Sequence, residues 1–316
     1  MQKYTIAKSR NQLVKKYAKN YVSERMQKHV CECGNWLDFI VNYDEDRRKL
    51  MAANFCKWRF CPMCAMRKAL VDAQRISVLM TYLNQVHGKS FIMVTFTAPS
   101  VEADKLHDEI TKFNLSFKNF TKRKEISSIN KGYIRKLEIT YNRERNNYHP
   151  HFHVVFAVNP SYFKSRGYVK QTAWLDIWRE CMGDDSITQV DVRKFKPKDN
   201  GDMSEGFNGA EFAKYFAKDE DYTLSCEVFD AFYTALKGRQ QLTYNGLFAM
   251  ANKKYKADEL VEYIKSDDTD YFWQLVYTWK GKEYKEKTRR KLDATDKLWL
   301  NMRGISVDTD DTTIED

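Results

Sequence analysis

His149, His151 and His153 alternate with Pro150 and Phe152, and the chain then runs on as Val154-Val155-Phe156. In an extended strand, side chains two apart share a face, so His151 and His153 project together while Phe152, Val154 and Phe156 point into a core. Three of the six histidines fall within these five residues, and neutral imidazoles are common ligands of divalent metals. The competing reading is a cross-strand surface patch. A carboxylate from a neighbouring strand would complete a metal site. Glu138, within Lys136-Leu137-Glu138-Ile139-Thr140, is the best candidate, because a carboxylate in an apolar-flanked strand needs a partner. His149 supplies a third candidate histidine; the pair that leads directly into the apolar run is preferred.

A second set lies further on. Glu211, Tyr215, Lys218 and Tyr222 follow four-three-four spacing, which puts them on one face of a helix. A tyrosine oxygen can attack phosphorus and keep the phosphodiester energy as a covalent ester. Its ordinary pKa of about 10 means that it needs a nearby cation or a metal-polarised phosphate, and Lys218 could supply the charge. Glu211 also sits three residues after Asn208, where a capping-box glutamate would be found. Tyr222 offers a second hydroxyl.

Cys56, Cys61 and Cys64 form C-x4-C-x2-C, with Pro62 leading into a helix. A fourth thiolate would close a tetrahedral zinc site with no open position, hence a structural one. Cys33, followed by Gly34, is the better fourth ligand because a Cys-Gly knuckle exposes backbone N–H groups to sulfur; Cys31 is the alternative. Five of the seven cysteines lie between positions 31 and 64, which suits metal better than disulfides in a reducing compartment. Nearby Arg59, Arg67, Lys68 and Arg75 could present a DNA-binding surface, with Trp58 either part of it or a cover for the knuckle.

These groups need elements to hold them. Phe91–Thr97 reads as a strand, and Leu106, Ile110, Phe113, Phe117 and Phe120 mark one stripe of a helix. Strands over Tyr133–Tyr141 and His151–Val158, a helix over Thr172–Met182 and a strand over Ile187–Phe195 follow. The resulting β-α-β-β-α-β order predicts an α+β fold, a ferredoxin-like antiparallel sheet with helices on one face. A cysteine-bearing module precedes it and a small mixed region follows. The expected boundaries are 1–85 for a basic arm and zinc module, 86–237 for the catalytic domain, 238–304 for a C-terminal DNA-binding or accessory region, and 305–316 for a disordered acidic tail.

The 316 residues are 43% hydrophobic and 14% aromatic, as in a folded protein, with a net charge of +10. A basic start and an acidic end point to a polyanionic partner, most often nucleic acid. No apolar run is long enough to span a bilayer, and the lysine-rich start lacks a signal-peptide core, so a cytoplasmic protein without a membrane partner is expected.

Together these motifs resemble the plasmid rolling-circle replication initiators of the HUH endonuclease superfamily, in the branch whose active helix carries Glu-x-x-x-Tyr. The resemblance rests on Phe91–Thr97, His149–His153, Glu211-Phe212-Ala213-Lys214-Tyr215 and the Cys56–Cys64 segment, and it extends over about residues 30–250. It implies a sequence-specific nickase in a bacterial cytoplasm. Tyr215 would attack one strand at the plasmid double-strand origin, leaving a 5′-phosphotyrosyl link and a free 3′-OH. His151, His153 and Glu138 would hold Mg²⁺ or Mn²⁺, Glu211 would position water for terminal hydrolysis, and Lys218 would complete a Tyr-x-x-Lys pattern. Cys33 also matches the family as a zinc ligand. Origin and single-stranded DNA, a host helicase and a replicative polymerase are the implied partners; the oligomeric state stays open, a dimer at the origin included. The alternatives are a transposase or mobilisation relaxase of the same superfamily, and a non-catalytic zinc-containing DNA-binding regulator.

Overall fold

A computed structural model describes residues 1–195, 221–264, 267 and 269–302. In chain order its elements are α1 (Gln2–Ala18), α2 (Glu24–Glu32), β1 (Trp36–Asn42), β2 (Arg48–Ala53), α3 (Pro62–Gln85), β3 (Ser90–Thr97), α4 (Ala103–Phe120), α5 (Lys124–Ile129), β4 (Gly132–Asn142), β5 (Asn147–Val158), α6 (Gln171–Met182), β6 (Val190–Lys194), α7 (Cys226–Leu236), β7 (Leu242–Gly246), α8 (Leu247–Lys256), β8 (Tyr271–Trp279), β9 (Tyr284–Lys291) and α9 (Ala294–Met302). The fold is α+β with antiparallel sheets. Two compact units divide the chain, one taking residues 1–71 with the segment from 265 onward, the other residues 72–264.

The first unit holds a sheet of order β2-β1-β8-β9. Leu37 and Phe39 of β1 pair with Tyr277 and Leu275 of β8, so the C-terminal hairpin completes a sheet begun more than 200 residues earlier. The boundaries expected at 85 and 237 therefore do not coincide with the units, because strand pairing across such a separation leaves no local pattern. Residues 2–18 of the expected basic arm are helical. They form α1, which buries Tyr4, Ala7, Lys8, Asn11, Val14 and Ala18 and sets Tyr4 edge-on to Phe39 at 5.4 Å. The basic run from Lys285 is the edge strand β9, exposed at every residue after Tyr284. Lysine and arginine there discourage edge-to-edge pairing.

The second unit holds a sheet of order β6-β3-β5-β4-β7, and the β-α-β-β-α-β succession expected from the sequence is present over residues 90–194. The α4 stripe of Leu106, Ile110, Phe113, Phe117 and Phe120 is buried throughout. Phe113 stacks on Phe152 at 4.0 Å, and Phe96 packs on Trp178 at 4.8 Å. Each such aromatic stabilises the fold by roughly 1.5–3 kcal/mol through the apolar area removed from water. The indole Nε1–H of Trp178 donates to the Thr97 carbonyl at 2.9 Å, which ties α6 to the end of β3. Gly183, at φ +61°, terminates α6 in the left-handed conformation.

Strand β7 and helix α8 were missed by the sequence reading. β7 extends the sheet by pairing with β4, with Gly246 opposite Gly132. A Cβ on Gly246 would lie 2.6 Å from the Lys131 carbonyl oxygen, and one on Gly132 would lie 2.5 Å from the Leu247 nitrogen. Only two glycines permit that approach. With α4 and α6 covering one sheet face, the opposite face carries Thr95, Thr97, Lys136, Glu138, His151 and His153 in adjacent rows of β3, β4 and β5.

Candidate active site and metal centres

Glu138 stands opposite His151 in the β4–β5 ladder, and Lys136 stands opposite His153. On its other side His153 faces Thr95 of β3. Period-two alternation therefore gathers one carboxylate and two imidazoles from two strands on one side of the sheet. Glu138 Oε2 is 3.3 Å from His151 Nε2 and 3.0 Å from His153 Nε2, and the three ligand-capable atoms lie within 4.8 Å of one another. Neighbouring ligands around an octahedral ion with bonds of about 2.1 Å sit roughly 3.0 Å apart, so the trio has the spacing of a possible divalent-metal site. Three protein ligands leave positions for water or a phosphate oxygen.

Both imidazoles are oriented from behind. The Thr95 hydroxyl lies 3.2 Å from His153 Nδ1, and the His149 carbonyl lies 3.3 Å from His151 Nδ1. With Nδ1 engaged, each Nε2 faces Glu138, the arrangement by which outer groups fix a ligand's tautomer and angle. Burial pushes the Glu138 carboxyl up, but hydrogen bonds from His151 and His153 outweigh it and hold it lowered to about 2. Burial lowers His153 below the ordinary histidine value, against the opposing pull of Glu138. His149 shares the face but stands outside the trio. It lines an open depression with Ser100, Thr140, Asn142 and Arg143.

A second cluster lies in the other unit. Cys33, Cys56, Cys61 and Cys64 converge, with sulfur separations of 3.6 Å for Cys33–Cys64 and Cys56–Cys64 and 3.5 Å for Cys33–Cys61. A tetrahedral site with Zn–S bonds of about 2.3 Å places its sulfurs roughly 3.7–3.8 Å apart, so four buried thiols fit zinc closely. Backbone N–H groups of Cys56 and Lys57 donate to the sulfurs of Cys33 and Cys64 at 3.3 and 3.2 Å. Burial raises the Cys61 thiol, yet hydrogen bonds from Cys33, Cys56 and Cys64 outweigh it and hold Cys61 well below the ordinary thiol range. Gly34, at φ +68°, makes the turn next to Cys33, and Cys31 stands outside the cluster.

The remaining expected site residues fare differently. Glu211, Tyr215 and Lys218 lie outside the described residues. Tyr222 is 5% exposed and packs between the rings of Phe229 and Phe232, 6.0 Å from each; it is a core residue and not a presented hydroxyl. Arg75 is buried, its guanidinium 5.5 Å from the centroid of the Tyr255 ring, so it is withdrawn from any phosphate and its assignment to a DNA surface is corrected. Arg59 and Arg67 are half-buried and Lys68 is exposed. Trp58 is buried beside Phe60, which fits a cover and not a stacking platform. Thr95 was not anticipated, although its place two residues from Thr97 on the histidine face was readable from strand alternation.

The family model described as "Replication protein" (Rep_1) matches residues 47–287. The chain belongs to this replication-protein family. It is 45% identical over 226 residues to a "Protein rep" of Staphylococcus aureus, covering 71% of this chain and 96% of that one. A "Protein rep" of Bacillus amyloliquefaciens is 30% identical over 279 residues, 81% of this chain and 82% of its own. One of Streptococcus pneumoniae is 31% identical, with 78% of each chain covered. No solved structure matches. In this replication protein the family span holds Glu138, His151, His153, Cys56, Cys61 and Cys64, while α1 and Cys33 precede it. Among the described residues, no helix is long and apolar enough to cross a membrane.

Proposed function

We propose that this replication protein is a metal-dependent, site-specific DNA nickase and strand transferase of the HUH type that initiates plasmid rolling-circle replication in the bacterial cytoplasm. The observation that supports it most is the Glu138–His151–His153 trio, three ligand-capable side chains on the sheet face opposite α4 and α6, in a β-α-β-β-α-β succession of ferredoxin-like order. A replication protein that places two imidazoles and a carboxylate on such a face has what is needed to grip a scissile phosphate. The ion they would hold, Mg²⁺ or Mn²⁺, supplies Lewis acidity at the phosphate.

In this reading His151, His153 and Glu138 bind the ion, and Thr95 fixes the angle of His153. The Tyr215 oxygen forms a bond to phosphorus as the P–O3′ bond breaks. The 3′-oxygen leaves as the primer hydroxyl, taking up a proton, and the phosphodiester energy is kept in a 5′-phosphotyrosyl ester. Lys218 favours the ionised phenol by its charge. Glu211 positions water for the terminal hydrolysis. The four cysteines hold a structural zinc ion, and Arg59, Arg67 and Lys68 contact DNA backbone. Origin DNA, single-stranded DNA, a host helicase and a replicative polymerase are the partners.

The test is covalent capture. The protein is incubated with Mn²⁺ and single-stranded DNA drawn from a randomised pool, digested, and the modified residue found by mass spectrometry, with Tyr215→Phe alongside. An adduct on Tyr215 that disappears with chelator and with Tyr215→Phe is the expected result. No adduct on single strands or on supercoiled plasmid carrying the native origin would sink the enzyme reading in favour of a non-catalytic DNA-binding protein.

A further inference from the structure

Lys8 is 0% exposed, at the centre of the buried stripe of α1. Its ammonium donates to the Cys33 carbonyl at 2.5 Å and to Asn11 Oδ1 at 3.4 Å, both uncharged. Lysine is almost never fully buried without a counter-charge, because an isolated buried cation is very costly. No carboxylate pairs with it among the described residues. What lies beside it is the cysteine cluster. Asn11, also 0% exposed, donates its Nδ2–H to Cys61 Sγ at 3.3 Å and to the Val30 carbonyl at 3.2 Å.

From this geometry we infer that α1 is the outer shell of the metal centre: Lys8 and Asn11 complete a site whose inner shell is Cys33, Cys56, Cys61 and Cys64, and α1 docks only when that site is loaded. The inference rests on the zinc reading above. Four thiolates around a divalent ion carry a net charge of −2, and Lys8 is the buried cation that offsets part of it. The Asn11 amide takes one further sulfur lone pair, as the backbone N–H groups of Cys56 and Lys57 do for Cys33 and Cys64. Outer-shell donors of this kind orient ligands and hold the ion. Without the ion nothing draws the four sulfurs together, and the Cys33 carbonyl and Cys61 sulfur that Lys8 and Asn11 grip lose their fixed positions. Metal occupancy and the folding of residues 2–18 onto the first unit are thus one equilibrium.

Four measurements on the full chain test it: zinc content, zinc release to a chromophoric chelator, trypsin cleavage at Arg10 within α1, and the absorption spectrum of the Co²⁺-substituted protein. Wild type is expected to carry one zinc per chain and to resist cleavage at Arg10 until a chelator strips the metal, after which cleavage speeds by at least about tenfold. Lys8→Met and Asn11→Leu are expected to release zinc about 10–100-fold faster and to shift the thiolate-to-metal charge-transfer band of the Co²⁺-substituted protein. Val14→Ala, which loosens α1 without touching sulfur, should leave that band in place. If Lys8→Met does not fold, Lys8→Arg and the chelation arm on wild type carry the test. Zinc-loaded wild type whose α1 stays protected after chelation, or Lys8→Met with unchanged zinc release and spectrum, overturns the inference alone. Wild type without metal overturns it together with the zinc reading.

Discussion

Glu138 and His151 face each other directly across the β4–β5 ladder, with Oε2 of one 3.3 Å from Nε2 of the other. Neither side chain is free to leave, because each backbone is locked by the strand pair that carries it. Glu138→Gln keeps the shape and removes the charge. It is expected to abolish Mn²⁺ binding at micromolar ion and to lower nicking by about 100-fold or more, with the melting temperature nearly unchanged. Calorimetric Mn²⁺ titration beside an oligonucleotide-cleavage assay checks this; wild-type affinity in the variant would remove Glu138 from the site.

Thr95 should matter without touching the ion. Thr95→Val preserves the β-branched strand residue but deletes the hydroxyl at His153 Nδ1, so ion affinity should fall about 10–100-fold. The cost should appear as a requirement for more Mn²⁺, with the maximal rate restored at saturation. A lower rate at saturating ion and an unchanged requirement would count against an orienting role.

Metal binding should follow acid in a defined direction. His153 must be neutral to ligate, and burial sets it below the ordinary 6.5. Its neutral form therefore persists at and above pH 6.5 and is lost only as pH falls through the lower folded value. Glu138, held at about 2, stays ionised across that range. The contribution of His153 to Mn²⁺ affinity is therefore expected to be lost below pH 6.5 and not above it, as read by the electron paramagnetic resonance signal of free ion. A decline already under way between pH 8 and 7 would contradict this.

Two changes off the ligand face test the scaffold, one on the core side of β5 and one at the edge strand. Phe152→Ala empties the space stacked against Phe113 and should destabilise the second unit by about 3–5 kcal/mol. Gly246→Ala forces a Cβ against the Lys131 carbonyl at a φ of +55° and should cost about 1–3 kcal/mol, uncoupling β7 from β4. Denaturant midpoints give both numbers. Full stability in Gly246→Ala would mean that the edge can shift to accept a side chain.

The sequence disclosed most where local pattern and chemistry coincide. Alternation in His149–Phe156 and Lys136–Thr140 predicted which residues share a face, and the α4 stripe was complete from its spacing. C-x4-C-x2-C with Cys33-Gly34 named the four sulfurs that meet. What stayed hidden depends on distant pairing: β8 and β9 joining β1, and β7 joining β4 through two glycines. Lys8 and Asn11 were hidden for another reason. A lysine and an asparagine inside the buried stripe of a basic helix look like ordinary solvated residues until the sulfurs beside them are known, although polar residues breaking an apolar stripe were a readable conflict. Arg75 and Tyr222 erred the other way, as reactive types that packing has withdrawn.

Strand β5 serves two masters. Its even-numbered residues Phe152, Val154 and Phe156 are core, and its odd-numbered residues His151 and His153 are the candidate ligands. Sliding the strand by one position would swap phenyl rings for imidazoles on both sides at once. Any copy of this protein that has folded has therefore already proofread its own ligand set. An insertion or deletion in this strand is removed by misfolding before it can be sampled as an altered catalyst, so the chemistry can evolve here by substitution but not by length.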